Sequence, residues 1–272
     1  MPLISVIVPT KNEAANIGAC LGAFKGREGV ELIVVDNRSD DATCAIAREC
    51  GAKVFEQGPE RSAQRNRGAR EAAAEWLMIL DADMIMPAGT FDEILSLISA
   101  PGGPNALYVR EFRTGDTLRA KARNFERGFY DATCIDAVRV VEKRLFDSVG
   151  GYDETIVGNE DWELDIRLKQ AGMRAALTKG FLVHNERALT VSRLFAKKVY
   201  YGGTSARYRA KWPGHPDVRR QFSPWYRFVG VFVENGKWRR LLRHPILAAA
   251  MMCERFLVGA AYLKSRFAAK GR

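Results

Sequence analysis

Two aspartates close the apolar run "WLMILDADM", residues 76–84. Residues two apart on a strand point the same way, so Asp81 and Asp83 converge where the strand runs out into a loop. Carboxylates that close repel, and they either share a proton or hold a cation between them. Oxygen donors of this kind suit Mg²⁺ or Mn²⁺, ions that leave positions open for substrate phosphates. A second acidic pair, Glu160 and Asp161 in "GNEDWEL", opens a predicted helix. There a carboxylate is able to act as a general base or simply to favour the helix dipole. His184 ends the apolar stretch "GFLVH", and a neutral imidazole is a competent metal donor, although isolated histidines are more often structural. The five cysteines are scattered without a C-x-x-C pair, which argues against zinc or a disulfide framework and for a reducing compartment.

The elements that must position these groups read as α/β. "LISVIVPT" and "VELIVVD" are short, β-branched and apolar, as buried strands are, and helical patterns such as "ANIGACLGAF" and "RSAQRNRGAREAAAEW" separate the strands. That alternation predicts βαβ crossovers and a mostly parallel central sheet flanked by helices. Ligands bind off the carboxyl ends of such strands. The polar residues at 10–13, 36–39 and 81–83 fall there. "SAPGGPN" (99–105) reads as a loop and a boundary between residues 1–100 and 101–186. "NEDWELDIRLKQAGM" reads as a helix with an acidic first turn and Gly172 at its end.

Four motifs in order give the chain a resemblance. "VPTKNEAANI", "VDNRSDDAT", "AQRNRGA" and "ILDADM" resemble the strand-end signatures of family 2 glycosyltransferases of the GT-A fold, over roughly residues 3–86. "FDSVGGYDE" and "NEDWEL" extend the similarity to about residue 187. The resemblance implies a transferase that moves a sugar from a nucleoside-diphosphate sugar to an acceptor hydroxyl, by a single inverting displacement, with Mg²⁺ or Mn²⁺. It implies that Pro9, Thr10, Asn12 and Glu13 line the base and ribose, with Asp36 accepting from the base and Ser39 beside it. Arg65 and Asn66 would face the nucleotide, and Arg61, one turn earlier, would reach the diphosphate. Asp83 would ligate the metal, with Ala82 next to it, Asp81 nearer the ribose and His184 a further metal ligand. Asp161 would be the base and Glu160 an acceptor contact. Trp162 fits an acceptor platform or a core position, and Asp136 and Asp153 are further acceptor-side candidates. Asn37 and Arg38 replace the commoner acidic and glycine residues, which leaves the base and sugar open.

Net charge is +10, unevenly spread. Residues 187–272 hold 19 Lys/Arg against 3 Asp/Glu, while residues 1–186 hold 23 against 29. A basic, aromatic, mainly helical C-terminal extension therefore follows a mildly acidic part, and it suits an anionic partner. Residues 245–263 approach the length of a bilayer span, but Glu254 and Arg255 interrupt them at about 2.5–3.5 kcal/mol each. The segment is expected either to lie at an anionic membrane surface or to pack on the domain with its cations solvated. The N-terminus lacks a basic region and cleavage site, so the expected place is cytoplasmic, peripheral at the inner face of the cell membrane. The acceptor is then expected to be a saccharide or lipid-linked, as in bacterial surface-glycan assembly. Three other readings compete. A haloacid dehalogenase-type phosphatase would carry its D-x-D on the first strand. A nucleic-acid binder would use the basic tail but leave the strand-end residues unexplained. An inactive scaffold would not need both acidic pairs.

Overall fold

A computed structural model describes residues 3–185 and 205–270, the side chains of 258–270 excepted. The expected boundary between residues 186 and 187 lies outside the described residues. Eight strands form one sheet: β1 (Ile4–Thr10), β2 (Val30–Asp36), β3 (Lys53–Glu56), β4 (Trp76–Ile79), β5 (Met84–Ile85), β6 (Ala106–Arg113), β7 (Val138–Glu142) and β8 (Ala175–His184). Their order is β3-β2-β1-β4-β7-β6-β8-β5. The β3-β2-β1-β4 half is parallel, as the alternation of strands and helices predicts; β7 then runs antiparallel to β4. The sheet is continuous across the loop at 99–105, because β4 pairs directly with β7.

Both faces are covered, which explains the nearly unbroken apolar strands. Ile4, Val6, Val8, Val34 and Met78 pack against α1 (Ile17–Gly22) and α4 (Ala88–Ser99). Their neighbours Ile7, Ile33, Val35, Leu77 and Ile79 point the other way, toward α3 (Arg61–Glu71), α6 (Lys143–Ser148) and α7 (Glu160–Gln170). The period of two along each strand therefore feeds two cores.

Helix and sheet approach closely at Gly68 in α3. A β-carbon there would stand 2.4 Å from Ile7 Cγ2, and Ile7 is itself fully buried in β1. Alanine would favour the helix by up to about 1 kcal/mol, but crowding in a packed core costs about 1–3 kcal/mol. Gly68→Ala is expected to lower the melting temperature; a variant as stable as its parent would show that α3 moves off the sheet at no cost.

Two register facts position the site. Thr10 and Asp36 are partners at the carboxyl ends of β1 and β2. β5 pairs antiparallel with β8 so that Met84 lies opposite His184.

The C-terminal extension packs on α5 (Leu118–Arg127). Phe125 and Phe129 meet Tyr226, Val231, Phe232 and Met251 in a separate core. Glu254 and Arg255, two of the charges in the long helix Pro245–Lys270, fix it there. Glu254 accepts from Arg119 at 3.0 Å, and Arg255 pairs with Glu126 and donates to Tyr130 Oη at 2.7 Å. Among the described residues, no helix is long and apolar enough to cross a membrane.

Candidate active site

The carboxyl ends of β1 and β2 form a clasp. Thr10 Oγ1 donates to Asp36 Oδ1 at 2.8 Å; Ser39 donates to the same carboxylate through its hydroxyl and its backbone N–H, both at 2.6 Å. Asn12 N–H donates to Ser39 Oγ at 2.7 Å, and Asn12 Oδ1 accepts from Asp40 N–H at 3.1 Å. Asn12 takes a left-handed φ of 55°, which an asparagine tolerates better than most residues. Gln64, from α3, ties the two strand ends by donating to the Thr10 and Val35 carbonyls. Pro9 is buried within β1, whereas Asn12 is exposed and Glu13 half-buried. Asp36 is only 3 % exposed and accepts three hydrogen bonds, so it organises the loop.

The clasp connects to the D-x-D loop through amides. Asn16 donates to Glu13 Oε2 at 2.7 Å, Asn185 Nδ2 donates to Asn16 Oδ1 at 3.2 Å, and Asn185 N–H donates to the Asp83 carbonyl at 2.8 Å. Asp81 and Asp83 then diverge in role. Asp81 stands 3.1 Å from Arg65, 3.8 Å from Arg139 and 3.9 Å from Arg61. Burial opposes its charge, but these guanidiniums hold its carboxyl well below the usual carboxylate range. Asp81 therefore anchors these arginines. Ala82 turns its methyl into the core and offers only backbone to a ligand.

Asp83 is the more open carboxylate. Its Oδ1 lies 3.8 Å from His184 Nδ1, beyond hydrogen-bonding distance, and that buried Nδ1 has no partner. His184 Nε2 lies 3.5 Å from Glu111. Burial disfavours the imidazolium, yet the carboxylates of Asp83 and Glu111 raise its pKa to about 9. A cation entering here would first displace the imidazole's proton; the neutral Nδ1 beside the half-exposed carboxylate then fits a two-donor seat for a hard divalent cation completed by phosphate oxygens. Among the described residues, no three His, Cys, Asp or Glu side chains form a ready-made metal cluster.

Arg65 is the centre of the site and 1 % exposed. One terminal nitrogen donates to Asp161 Oδ1 at 3.1 Å and to Glu160 Oε1 at 3.2 Å, and the other donates to Asp81 at 3.1 Å. Its guanidinium lies over the Tyr152 ring, 5.1 Å from the centroid, and Tyr152 Oη donates to Asp161 Oδ1 at 3.2 Å. One buried side chain thus joins the end of β4 to the start of α7. Glu160 is buried, and burial together with the neighbouring Asp161 raises its pKa. Asp161 is the more accessible member of the pair.

The Asn66 amide donates to the Tyr152 carbonyl and Glu154, and accepts from Tyr152 N–H at 2.8 Å, so it holds the "GGYDE" loop. Trp162 packs between the two C-terminal hydrophobic clusters, 6.4 Å from the Phe222 ring. That is its core position. Asp136 is buried against Arg127, and Asp153 is taken by Lys211 and Thr155. Two residues that the motifs do not single out belong to the site: Arg139, which reaches Asp81, and Glu111, which binds Arg139 at 2.7 Å and Arg127 at 3.3 Å. Each interrupts an apolar strand with a charge, and a charge buried there needs a partner. That was their only sequence signal.

The fold has solved counterparts. A mannosyltransferase, PcManGT from Pyrobaculum calidifontis, in complex with GDP-Man and Mn²⁺, superposes with a TM-score of 0.62 at 20 % identity, covering 100 % of this chain and 81 % of that one. This is the GT-A architecture: a mixed α/β sheet with flanking helices, here followed by a helical extension. Residues 5–146 match Glycosyl transferase family 2, and the chain belongs to that family. The succinoglycan biosynthesis protein ExoA of Rhizobium meliloti is 28 % identical over 240 residues, 79 % of this chain and 72 % of its own length. The pre-mycofactocin glycosyltransferase of Mycobacterium tuberculosis is 24 % identical over 239 residues, 79 % of this chain and 48 % of its own length. The chain thus spans about half the length of this second relative.

Proposed function

We propose that the chain transfers a hexose from a nucleoside-diphosphate sugar to an acceptor hydroxyl with inversion. The observation that carries this reading is the Arg65 bridge, which holds the partly exposed carboxylate of Asp161 one guanidinium away from the donor-side Asp81. Asp161 accepts the hydroxyl proton as that oxygen attacks the anomeric carbon. The anomeric C–O bond breaks, and its electron pair leaves on the diphosphate. Arg61, partly exposed beside Asp81, faces the developing negative charge. A divalent cation held by Asp83 and His184 would neutralise further charge on the leaving group. Asn12, Glu13 and Ser39 border the nucleoside end.

The ligands of the solved mannosyltransferase, GDP-Man and Mn²⁺, support the donor class, and the succinoglycan relative supports surface-glycan assembly. The acceptor is a saccharide or lipid-linked, and peripheral contact with an anionic membrane at its inner face belongs to the same reading. The test is a thermal-shift panel of UDP, GDP, dTDP and CMP compounds, each with and without Mn²⁺. A ligand at 100 times its Kd adds about 2.7 kcal/mol, a shift of roughly 5–10 °C for a chain of this size. One nucleoside diphosphate is expected to stand out, with a larger shift when Mn²⁺ is present. No shift with any compound would overturn the reading.

A further inference from the structure

The long C-terminal helix is inside-out for a water-exposed helix. Its exposed residues Ile246, Ala249, Cys253, Phe256 and Leu257 are spaced three, four, three and one apart, which places them along one face. That face is wholly apolar, and Ile246 and Leu257 are each 72 % exposed. Between residues 245 and 257, where its side chains are described, the two charges, Glu254 and Arg255, point the other way into ion pairs with α5. A helix on an ordinary protein surface has the opposite polarity. In the short helix Trp238–Arg243, Arg240 donates to the Gly128 carbonyl, while Trp238 and Leu242 are exposed beside Arg239 and Arg243. Trp225, 70 % exposed, precedes the segment whose Phe228 ring stacks 6.0 Å from Phe256.

We infer that this face is a docking surface for an anionic lipid bilayer, with Ile246, Phe256 and Leu257 entering the acyl boundary and Trp225 and Trp238 at headgroup level. Scattered exposed apolar residues need no explanation, but a continuous stripe with its charges withdrawn does. The neighbouring cations select the partner. Arg239 and Arg243 flank the apolar residues, within a segment (187–272) that carries 19 Lys/Arg against 3 Asp/Glu. Tryptophan–arginine borders around an apolar strip suit a headgroup layer. A second copy of this chain would bring the same excess of cations to the contact and repel it. The inference deepens the membrane part of the proposed function, and its test reads lipid binding without turnover. Failure of the nucleotide panel would leave it standing, and the reverse holds too.

Cys253 lies on the apolar face, so it can carry the reporter. Cys20 and Cys134 are buried, and replacing the half-buried Cys44 and Cys50 with serine confines labelling to it. The full chain, labelled there with an environment-sensitive maleimide, is mixed at low salt with phosphatidylcholine vesicles, with or without about one-third phosphatidylglycerol. The expected result is co-sedimentation and a blue-shifted emission with the anionic vesicles alone. Arg239→Ala with Arg243→Ala should weaken partitioning by about 30-fold. Ile246→Glu with Leu257→Glu should abolish the blue shift while the thermal melt stays unchanged, both positions being solvent-exposed. Equal behaviour with both vesicles, or sedimentation without a blue shift, would overturn the inference. So would a blue shift that appears without lipid and follows dimer formation in sedimentation velocity.

Discussion

Asp161→Asn is expected to lower turnover by about 10²–10⁴-fold, the contribution of a positioned general base. The amide is nearly isosteric with the carboxylate but does not take the acceptor proton. Arg65 keeps its contacts with Asp81 and Glu160 in the variant, so the charge centre stays assembled. Donor binding should therefore survive, read as an unchanged thermal shift with the preferred nucleoside diphosphate and Mn²⁺. The helix dipole at the start of α7 loses one favourable charge, worth about 0.3–1 kcal/mol, a small effect against the kinetic one. A variant that loses the nucleotide shift along with turnover would place Asp161 on the donor and exclude it as the base. A variant with near-normal turnover would require another base altogether.

Arg65→Leu is expected to be the most destabilising single change in the site. The leucine fits the apolar stem but leaves Asp81, Glu160 and Asp161 without the guanidinium they share. Removing one partner from a buried ionic cluster costs about 3–5 kcal/mol, because the desolvated charges that remain are uncompensated. For a chain of this size the melting temperature should fall by on the order of 10 °C. The loss should also depend on pH. The arginines hold the Asp81 carboxyl below its usual range, so the stabilisation they give is fully present above the unfolded carboxylate value, near 4. It disappears as pH falls toward the lowered folded value. Parent and variant should therefore differ most at neutral pH and converge in acid, where the orphaned carboxylates are protonated. A pH-independent gap would mean that Arg65 acts by packing alone.

These two residues were not equally legible. Asp161 stands in a short motif at a helix start, where the resemblance to the family's acidic pair is enough to nominate it. Arg65 sits in "AQRNRGA", and from the sequence its helix face pointed toward a nucleotide; the fold instead buries it among three carboxylates from two distant elements. Asn66, one residue on, points another way. Consecutive helical residues differ in direction by about 100°, and its amide is drawn to the Tyr152 loop. Glu111 and Arg139 carry no motif, because their roles come from pairing across β6 and β7.

The strands, the crossover helices and the polar residues at the strand ends follow from the sequence alone. Periodicity and β-branched runs are local, and in a parallel sheet they determine which end of each strand gathers ligands. The basic bias of the C-terminal extension is equally a matter of composition. Tertiary structure decided what the carboxylates are paired with and which way the last helices turn. Asp83 meets His184 only because β5 runs antiparallel to β8, bringing together residues 101 positions apart. Glu254 and Arg255, which in sequence interrupt an apolar run, in the fold face α5 and leave the apolar side outward. A buried charge has a function only through its partners, and partners distant in sequence are chosen by the packing of the whole chain.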